Sequence, residues 1–234
     1  MNPQRVVWEL NGRLPDGAIV TADSGSSTNW FARDLRLRTG MRASLSGNLA
    51  TMGPGTPYAI AAKFAHPGRP VIAFVGDGAF QMNGMNELIT VKRYWERWED
   101  PRLVFCVFNN EDLNQVTWEQ RAMEGDPKYP ASQVIPDFPY HRYAELAGFR
   151  GIYCDSGDDV GDAWAEAFDS DRPVVLEVKV DPEIPPLPPH ITIEQAKKMT
   201  KAMLKGDPER AGVIEKSLLG KLEELKESLP GRRD

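Results

Sequence analysis

The chain has 234 residues, 41% hydrophobic and 26% charged, which is enough for one large α/β domain or two small ones and too apolar for disorder. Its 28 basic and 34 acidic residues leave a net charge of −6. That argues against a nucleic-acid-binding surface, but not against a phosphorylated ligand held locally by backbone N–H groups. The longest apolar runs, such as Val71–Val75, fall far short of the ~20 residues a membrane-spanning helix needs. The opening Met1-Asn-Pro-Gln-Arg5 carries no apolar signal core, so a cytoplasmic location is expected.

Strand and helix patterns alternate along the chain. Ala18–Ala22 is a short β-rich run, followed by the turn-like Asp23-Ser-Gly-Ser-Ser27 and helical spacing over Asn29–Leu37. Met52–Phe64 opens with Gly53, Pro54, Gly55 and Pro57 and then turns Ala-rich, which predicts a helix with a glycine-rich entrance. The uninterrupted apolar runs Val71–Val75 and Leu103–Phe108 predict buried parallel strands. Helices are expected over Asn83–Trp98, Tyr140–Gly148 and Val160–Phe168, and strands over Gly151–Cys154 and Val174–Val180. This alternation predicts an α/β domain over residues 1–181: a doubly wound, mostly parallel sheet with helices on both faces. Cys106 and Cys154 sit in apolar strand runs and read as buried free thiols rather than a disulfide or a nucleophile.

The character changes at residue 182. Asp181–Pro189 holds five prolines and reads as an extended strap. Beyond it, Thr192–Lys205 and Glu209–Ser228 are charged and helical, so residues 182–234 form a separate strap and tail. Ile214, Leu218, Leu222 and Leu225 make an apolar stripe flanked by Lys216, Lys221 and Lys226. The stripe suits packing on the domain or a partner, and also a peripheral contact with the inner face of a membrane.

Chemistry concentrates at two strand ends. Val71–Val75 runs into Gly76-Asp77-Gly78-Ala79, where absent Cβ atoms would let a phosphate reach the backbone and Asp77 would set one carboxylate at the mouth. Alone, Gly-Asp-Gly is also an ordinary turn. However, Leu103–Phe108 ends in Asn109-Asn110, with 30 residues between Gly78 and Asn109. If these strands are neighbours, Asp77 and Asn110 face one point. A carboxylate, an amide oxygen and one backbone carbonyl suit Mg²⁺, which takes its remaining ligands from a diphosphate and water.

This Gly-Asp-Gly…Asn-Asn pattern resembles the fingerprint of thiamine diphosphate (ThDP) enzymes. Asp23–Ser27 resembles the family's first diphosphate loop, and Leu49–Lys63 its MGxGxPxAIAAK helix entrance. Ile184–Lys197 is similar to the C-terminal segment of pyruvate:quinone oxidoreductases. Pyruvate oxidase and pyruvate dehydrogenase (quinone) are the nearest in pattern, then acetolactate synthase. The resemblance implies Mg²⁺ held by Asp77, Asn110 and the backbone oxygen of Asp112. It implies a diphosphate held by Gly25, Ser26, Ser27, Gly76, Gly78 and Ala79 and by N–H groups near Asn114. Asn114 replaces a customary glycine and tolerates positive φ better than most residues. Met52 would prop the cofactor into its bent shape, with the Met52 N–H and the Ala50 carbonyl on the aminopyrimidine; taken alone, Met52 reads as core filler. Glu119 either faces substrate or pairs with Arg121 or Arg93. His66 reads as a turn residue, and neither His141 nor His190 shows a partner in the sequence.

Family members usually carry three domains, and the resemblance covers the C-terminal one. The implied activity is decarboxylation of a 2-oxo acid, pyruvate by resemblance, as a half-site. The pyrimidine-side glutamate, and FAD contacts where a flavin is used, would come from other domains. Partners implied are a pyrimidine-binding-domain chain or further copies of this one. An acetolactate synthase-like carboligase component and a non-catalytic diphosphate-binding module are the alternatives.

Overall fold

The computed structural model describes residues 1–186 and 192–216. Among these, six parallel strands form one sheet in the order β2-β1-β3-β4-β6-β5. The strands are β1 (Ile19–Ala22), β2 (Arg42–Leu45), β3 (Val71–Gly76), β4 (Leu103–Asn109), β5 (Arg150–Cys154) and β6 (Val174–Lys179). The helices packed on the sheet are α1 (Pro3–Asn11), α2 (Ser26–Asp34), α3 (Gly55–Ala65), α4 (Asp77–Ala79), α5 (Met85–Tyr94), α8 (Tyr140–Leu146) and α9 (Val160–Asp169). Two further helices, α6 (Asn114–Glu119) and α7 (Pro130–Gln133), follow β4, and α10 (Ile193–Leu204) lies in the tail.

Strand β3, and β4 up to Asn109, carry no polar side chain because both of their faces are covered. Ile72, Phe74, Val104, Cys106 and Phe108 pack against α1, α2 and α9 through Val6, Leu10, Trp30, Phe31 and Trp164. The alternate residues Val71, Ala73, Val75, Phe105 and Val107 pack against α3, α5 and α8 through Ala59, Ile60, Leu88, Val91 and Tyr140. Alternation of side chains across a strand is what divides one apolar run between two cores. Both cysteines are buried and unpaired, as the sequence predicts.

The helix expected over Asn83–Trp98 begins earlier, at Asp77. It runs through α4, a π-turn over Phe80–Gly84 and α5, and closes in a 3₁₀ turn over Trp95–Arg97. Helix α2 starts three residues before the expected Asn29 and ends at Asp34, so Ser26 and Ser27 belong to its first turn rather than to a loop. Four elements were not expected from the sequence. Strand β2 is an exposed edge strand without an apolar run. Helix α6 begins just after the Asn109-Asn110 pair, and α7 is a single turn started by Pro130. Helix α1 carries legible start signals, since Asn2 caps it by accepting from the Gln4 N–H and Pro3 stands at its first position.

Residues 181–186 run without regular structure, as the prolines require. The tail packs on the domain: Ala202, Met203 and Val213 bury Trp118 of α6. Helix α10 opens with a capping box between Thr192 and Gln195. Residues 210–216 are helical, with Ile214 exposed. Lys216, one of the three lysines flanking the apolar stripe, pairs with Asp181 and Glu183 (2.9 Å). His190, Leu218, Leu222, Leu225, Lys221 and Lys226 lie outside the described residues. No helix among the described residues is long and apolar enough to cross a membrane.

Candidate diphosphate and metal site

Strand order reverses between β1 and β3, which opens a crevice at the carboxyl ends of the strands. A cavity of about 300 Å³ lies there. Three helices begin at its wall: α2 at Ser26, α4 at Asp77 and α6 at Asn114. None of the three is capped by its N-cap residue (Gly25, Gly76 or Leu113), although Asp77 Oδ1 takes the Gly78 N–H of α4. Helix N-termini leave N–H groups without intrahelical partners and carry partial positive charge, so three of them around one cavity suit an anion.

Gly25, Ser26, Ala50, Met52, Gly76, Asp77, Gly78, Ala79, Asn110, Asp112, Asn114 and Glu119 all line this cavity. Ser27 does not; it is fully buried, and its hydroxyl donates to the Asp23 carbonyl at 3.3 Å. The glycines serve unequal purposes. Gly25 has φ 114° and ψ −164°, a conformation side chains disfavour. A Cβ on Gly76 would meet open space, as expected of a backbone a phosphate approaches. A Cβ on Gly78 would strike Leu113 and Ile135 at 2.9 and 2.8 Å, so that glycine admits protein packing rather than ligand.

The Asp77 carboxylate is 3% exposed, and burial pushes its pKa up to about 6. Its Oδ1 accepts from the Gly78 N–H (2.8 Å), and its Oδ2 accepts from the N–H groups of Asn110 (3.0 Å) and Glu111 (2.6 Å). Strands β3 and β4 are indeed neighbours, with Gly76 opposite Phe108. The Asn110 amide oxygen accepts from the Asp112 N–H at 3.1 Å. The Asp112 carboxylate faces Thr117 and Lys128, so a ligand from this residue would be its main-chain oxygen. Among the described residues no cluster of three or more His, Cys, Asp or Glu side chains could hold a metal. The donors this cavity could offer are one carboxylate, one amide and one main-chain carbonyl. They are all hard oxygen and low in charge, which fits Mg²⁺ completed by an anionic ligand.

Two residues depart from their expected settings. Asn114 does not take positive φ; it starts α6, and its amide donates to the Pro182 carbonyl at 2.8 Å, tying the strap to the cavity wall. The left-handed positions fall instead on Glu111 (φ 57°) and Ala50 (φ 48°). Glu119 is exposed at the cavity mouth, accepting from Gln115 at 2.9 Å. Its alternative partner, Arg121, is committed to Asp207 and Glu209. His141 has a partner the sequence did not reveal, with its Nδ1 2.5 Å from Glu177 Oε2 on β6.

Asp23 is the residue whose role was missed. Fully buried at the end of β1, it accepts the Gly53 N–H on Oδ1 (2.7 Å) and the Gly55 N–H on Oδ2 (2.8 Å), while its carbonyl accepts from Thr28. It locks the loop carrying Met52 to the loop carrying Gly25. Desolvation raises its pKa. An acid directly after a buried strand end was the available signal.

The fold and cavity define an open α/β domain in which three helix N-termini, one acid and one amide meet at the carboxyl edge of a parallel sheet. Residues 23–178 match the model of the thiamine pyrophosphate enzyme C-terminal TPP-binding domain. The chain belongs to that family. It is 37% identical over 205 residues to the Bacillus subtilis protein named "Putative thiamine pyrophosphate-containing protein YdaP", covering 88% of this chain and 34% of the relative. It is 29% identical to the acetolactate synthase of Bacillus subtilis, over 77% of this chain and 30% of the relative. Identity to the acetolactate synthase large subunit of Pyropia yezoensis is 32%, over 77% and 29%. The chain thus spans about a third of the length of these curated relatives.

Proposed function

We propose that the cavity holds the diphosphate of ThDP through Mg²⁺, and that the chain supplies this half of a site decarboxylating a 2-oxo acid, pyruvate in the first instance. The observation that carries the reading is the convergence of three helix N-termini with Asp77 and Asn110 on one cavity. Asp77, Asn110 and the Asp112 carbonyl would hold the cation. The first turns of α2, α4 and α6 would hold phosphate oxygens. Met52 and Ala50, on the loop that Asp23 anchors, would orient the remainder of the cofactor. When bound, ThDP supplies the carbon nucleophile and electron sink that let a 2-oxo acid lose carbon dioxide. Glu119, at the exposed mouth, would hold or move a proton beside the substrate.

Pyruvate oxidase-type chemistry, with electrons passing to a flavin in a complete assembly, is the reading the proline strap supports. A carboligase reading is favoured by the acetolactate synthase names among the relatives. Both need the same half-site. Calorimetry of ThDP binding with and without Mg²⁺ tests it, with Asp77→Ala as the control. Turnover should appear only when a pyrimidine-binding-domain chain is added. Steady pyruvate decarboxylation by residues 1–234 alone would overturn the half-site reading. Tight binding without turnover under any pairing would favour the non-catalytic module.

A further inference from the structure

The Asp112 carboxylate, on the loop that carries the cation ligands, is turned away from the cavity into a buried cluster of charges. Its Oδ1 accepts from Thr117 Oγ1 at 3.0 Å and lies 3.1 Å from Lys128 Nζ; its Oδ2 accepts from Asn114 Nδ2 at 3.4 Å. The Asp112 and Lys128 side chains are only 1% and 5% exposed. Lys128 Nζ in turn holds Glu209 Oε1 at 2.6 Å. Arg121, fully buried, makes two parallel 2.8 Å bonds to Asp207 and a third of 2.8 Å to Glu209 Oε2. Asp207 Oδ2 also accepts the Lys128 backbone N–H at 2.9 Å. One continuous network therefore runs from the cavity wall to the 207–209 turn, beyond the proline strap.

Its energetics are unusual for mere adhesion. Burying ions costs several kcal/mol each before pairing returns it. The tail already has apolar glue in Trp118, Ala202, Met203 and Val213. Three carboxylates share two cations here, which leaves one negative charge over. A cation on the cavity side of the 110–114 loop would offset that surplus. Each carboxylate of the network meets a cation, and only Arg121 Nη1 lacks an acceptor, so the network favours one arrangement of its members.

We propose that Asp207 and Glu209 are positioning residues for the cofactor loop. They fix Arg121 and Lys128. Lys128 keeps the Asp112 carboxylate out of the cavity, and the loop thereby presents the Asn110 amide and the Asp112 main-chain oxygen to the cation. Without Lys128 the Asp112 carboxylate has no buried counter-ion, and the loop must rearrange to solvate it. The inference rests on reading the cavity as a Mg²⁺–diphosphate site.

The test uses the full chain. Glu209→Gln removes one charge and leaves the Arg121–Asp207 pair to hold the fold; Lys128→Met removes the central cation; Glu209→Asp is the conservative rescue. The expected result is a loss of Mg²⁺-dependent ThDP affinity of about fivefold or more in each of the first two, with non-additive loss in their double variant. Amides of 110–119 should exchange faster in the ligand-free Glu209→Gln chain, while those of β3 and β4 do not. Glu209→Asp should recover most of the affinity. If Lys128→Met fails to fold, Glu209→Gln decides alone. A lower melting temperature with unchanged affinity and unchanged 110–119 exchange would make the cluster structural only and overturn the proposal. Asp77→Ala separates the two readings. Lost affinity there with none lost in Glu209→Gln overturns the positioning role alone, whereas unchanged affinity in Asp77→Ala removes the site reading and this proposal with it.

Discussion

Asp77 at the end of β3 and Asn110 at the end of β4 are joined through the chain itself: Asp77 Oδ2 accepts the Asn110 backbone N–H at 3.0 Å. The same oxygen takes the Glu111 N–H at 2.6 Å, so one carboxylate both lines the cavity and shapes the loop carrying Asn110 and Asp112. On the proposed reading, substituting Asp77 removes one ligand and loosens the loop that carries the other two. Asp77→Asn should weaken Mg²⁺-dependent ThDP binding by about 100-fold, the upper range for disrupted metal sites. Calorimetry at saturating Mg²⁺ measures it. Unchanged affinity would remove Asp77 from the site.

Burial pushes the Asp77 pKa up to about 6, and a cation requires its ionised form. Affinity for Mg²⁺–ThDP should fall about tenfold per pH unit as pH drops below about 6. The sign for the ligand-free chain is opposite. Between pH 3.8, the unperturbed carboxylate value, and about 6 the folded state binds more protons at this group than the unfolded state. Its contribution to stability is thus full at low pH and lost as pH rises through that window. Urea titrations of wild type and Asp77→Asn at pH 4 and pH 7 should show a pH-dependent difference that is smaller in the variant, since Asp23, also raised, keeps its contribution.

Asp23→Ala should destabilise the chain by about 2–4 kcal/mol, since two buried N–H groups lose a charged acceptor. Gly55→Ala should do comparable harm, because its Cβ would meet Asp23 atoms at 2.9 Å. Both should lower ThDP affinity as well, through the loop carrying Met52. Chemical denaturation paired with calorimetry would show the two losses together.

Lys63 offers a contrast. Its buried ammonium donates to the carbonyls of Pro67 (3.1 Å), Arg69 (2.8 Å) and Asp100 (2.7 Å), and it is not among the residues lining the cavity. Lys63→Met should cost about 3 kcal/mol of stability by orphaning those carbonyls. ThDP affinity at a temperature where the variant is folded should not change. A specific loss of affinity would show coupling that this geometry does not provide.

The cavity wall carries Val116, 49% exposed, and Leu49, 81% exposed, directly precedes the wall residue Ala50. Trp118, by contrast, folds inward beneath the tail. Exposed apolar groups so placed favour association with a pyrimidine-binding-domain chain or a second copy. Sedimentation at micromolar concentration should show a dimer or a complex, weakened by Val116→Glu. A strictly monomeric chain that captures no such partner would leave the phosphate site standing alone.

Much of this molecule is legible before folding. Val71–Val75 and Leu103–Phe108 announce central strands because a strand covered on both faces admits apolar residues at every position. Gly76-Asp77-Gly78 and Asn109-Asn110 announce the site because strand ends in a parallel sheet project onto one edge. Strand β2 was not legible, since an exposed edge strand has no core face to impose alternation. Tertiary structure alone decided which way side chains turn and whom they meet. Asp23 reaches Gly53 and Gly55 across 30 and 32 residues, Glu177 meets His141 across 36, and Arg121 meets Asp207 across 86. The Asp112 carboxylate points to Lys128 rather than to the cavity for the same reason. Periodicity and capping record what a residue does within its own element, but a buried charge is settled by whichever counter-charge the fold brings beside it.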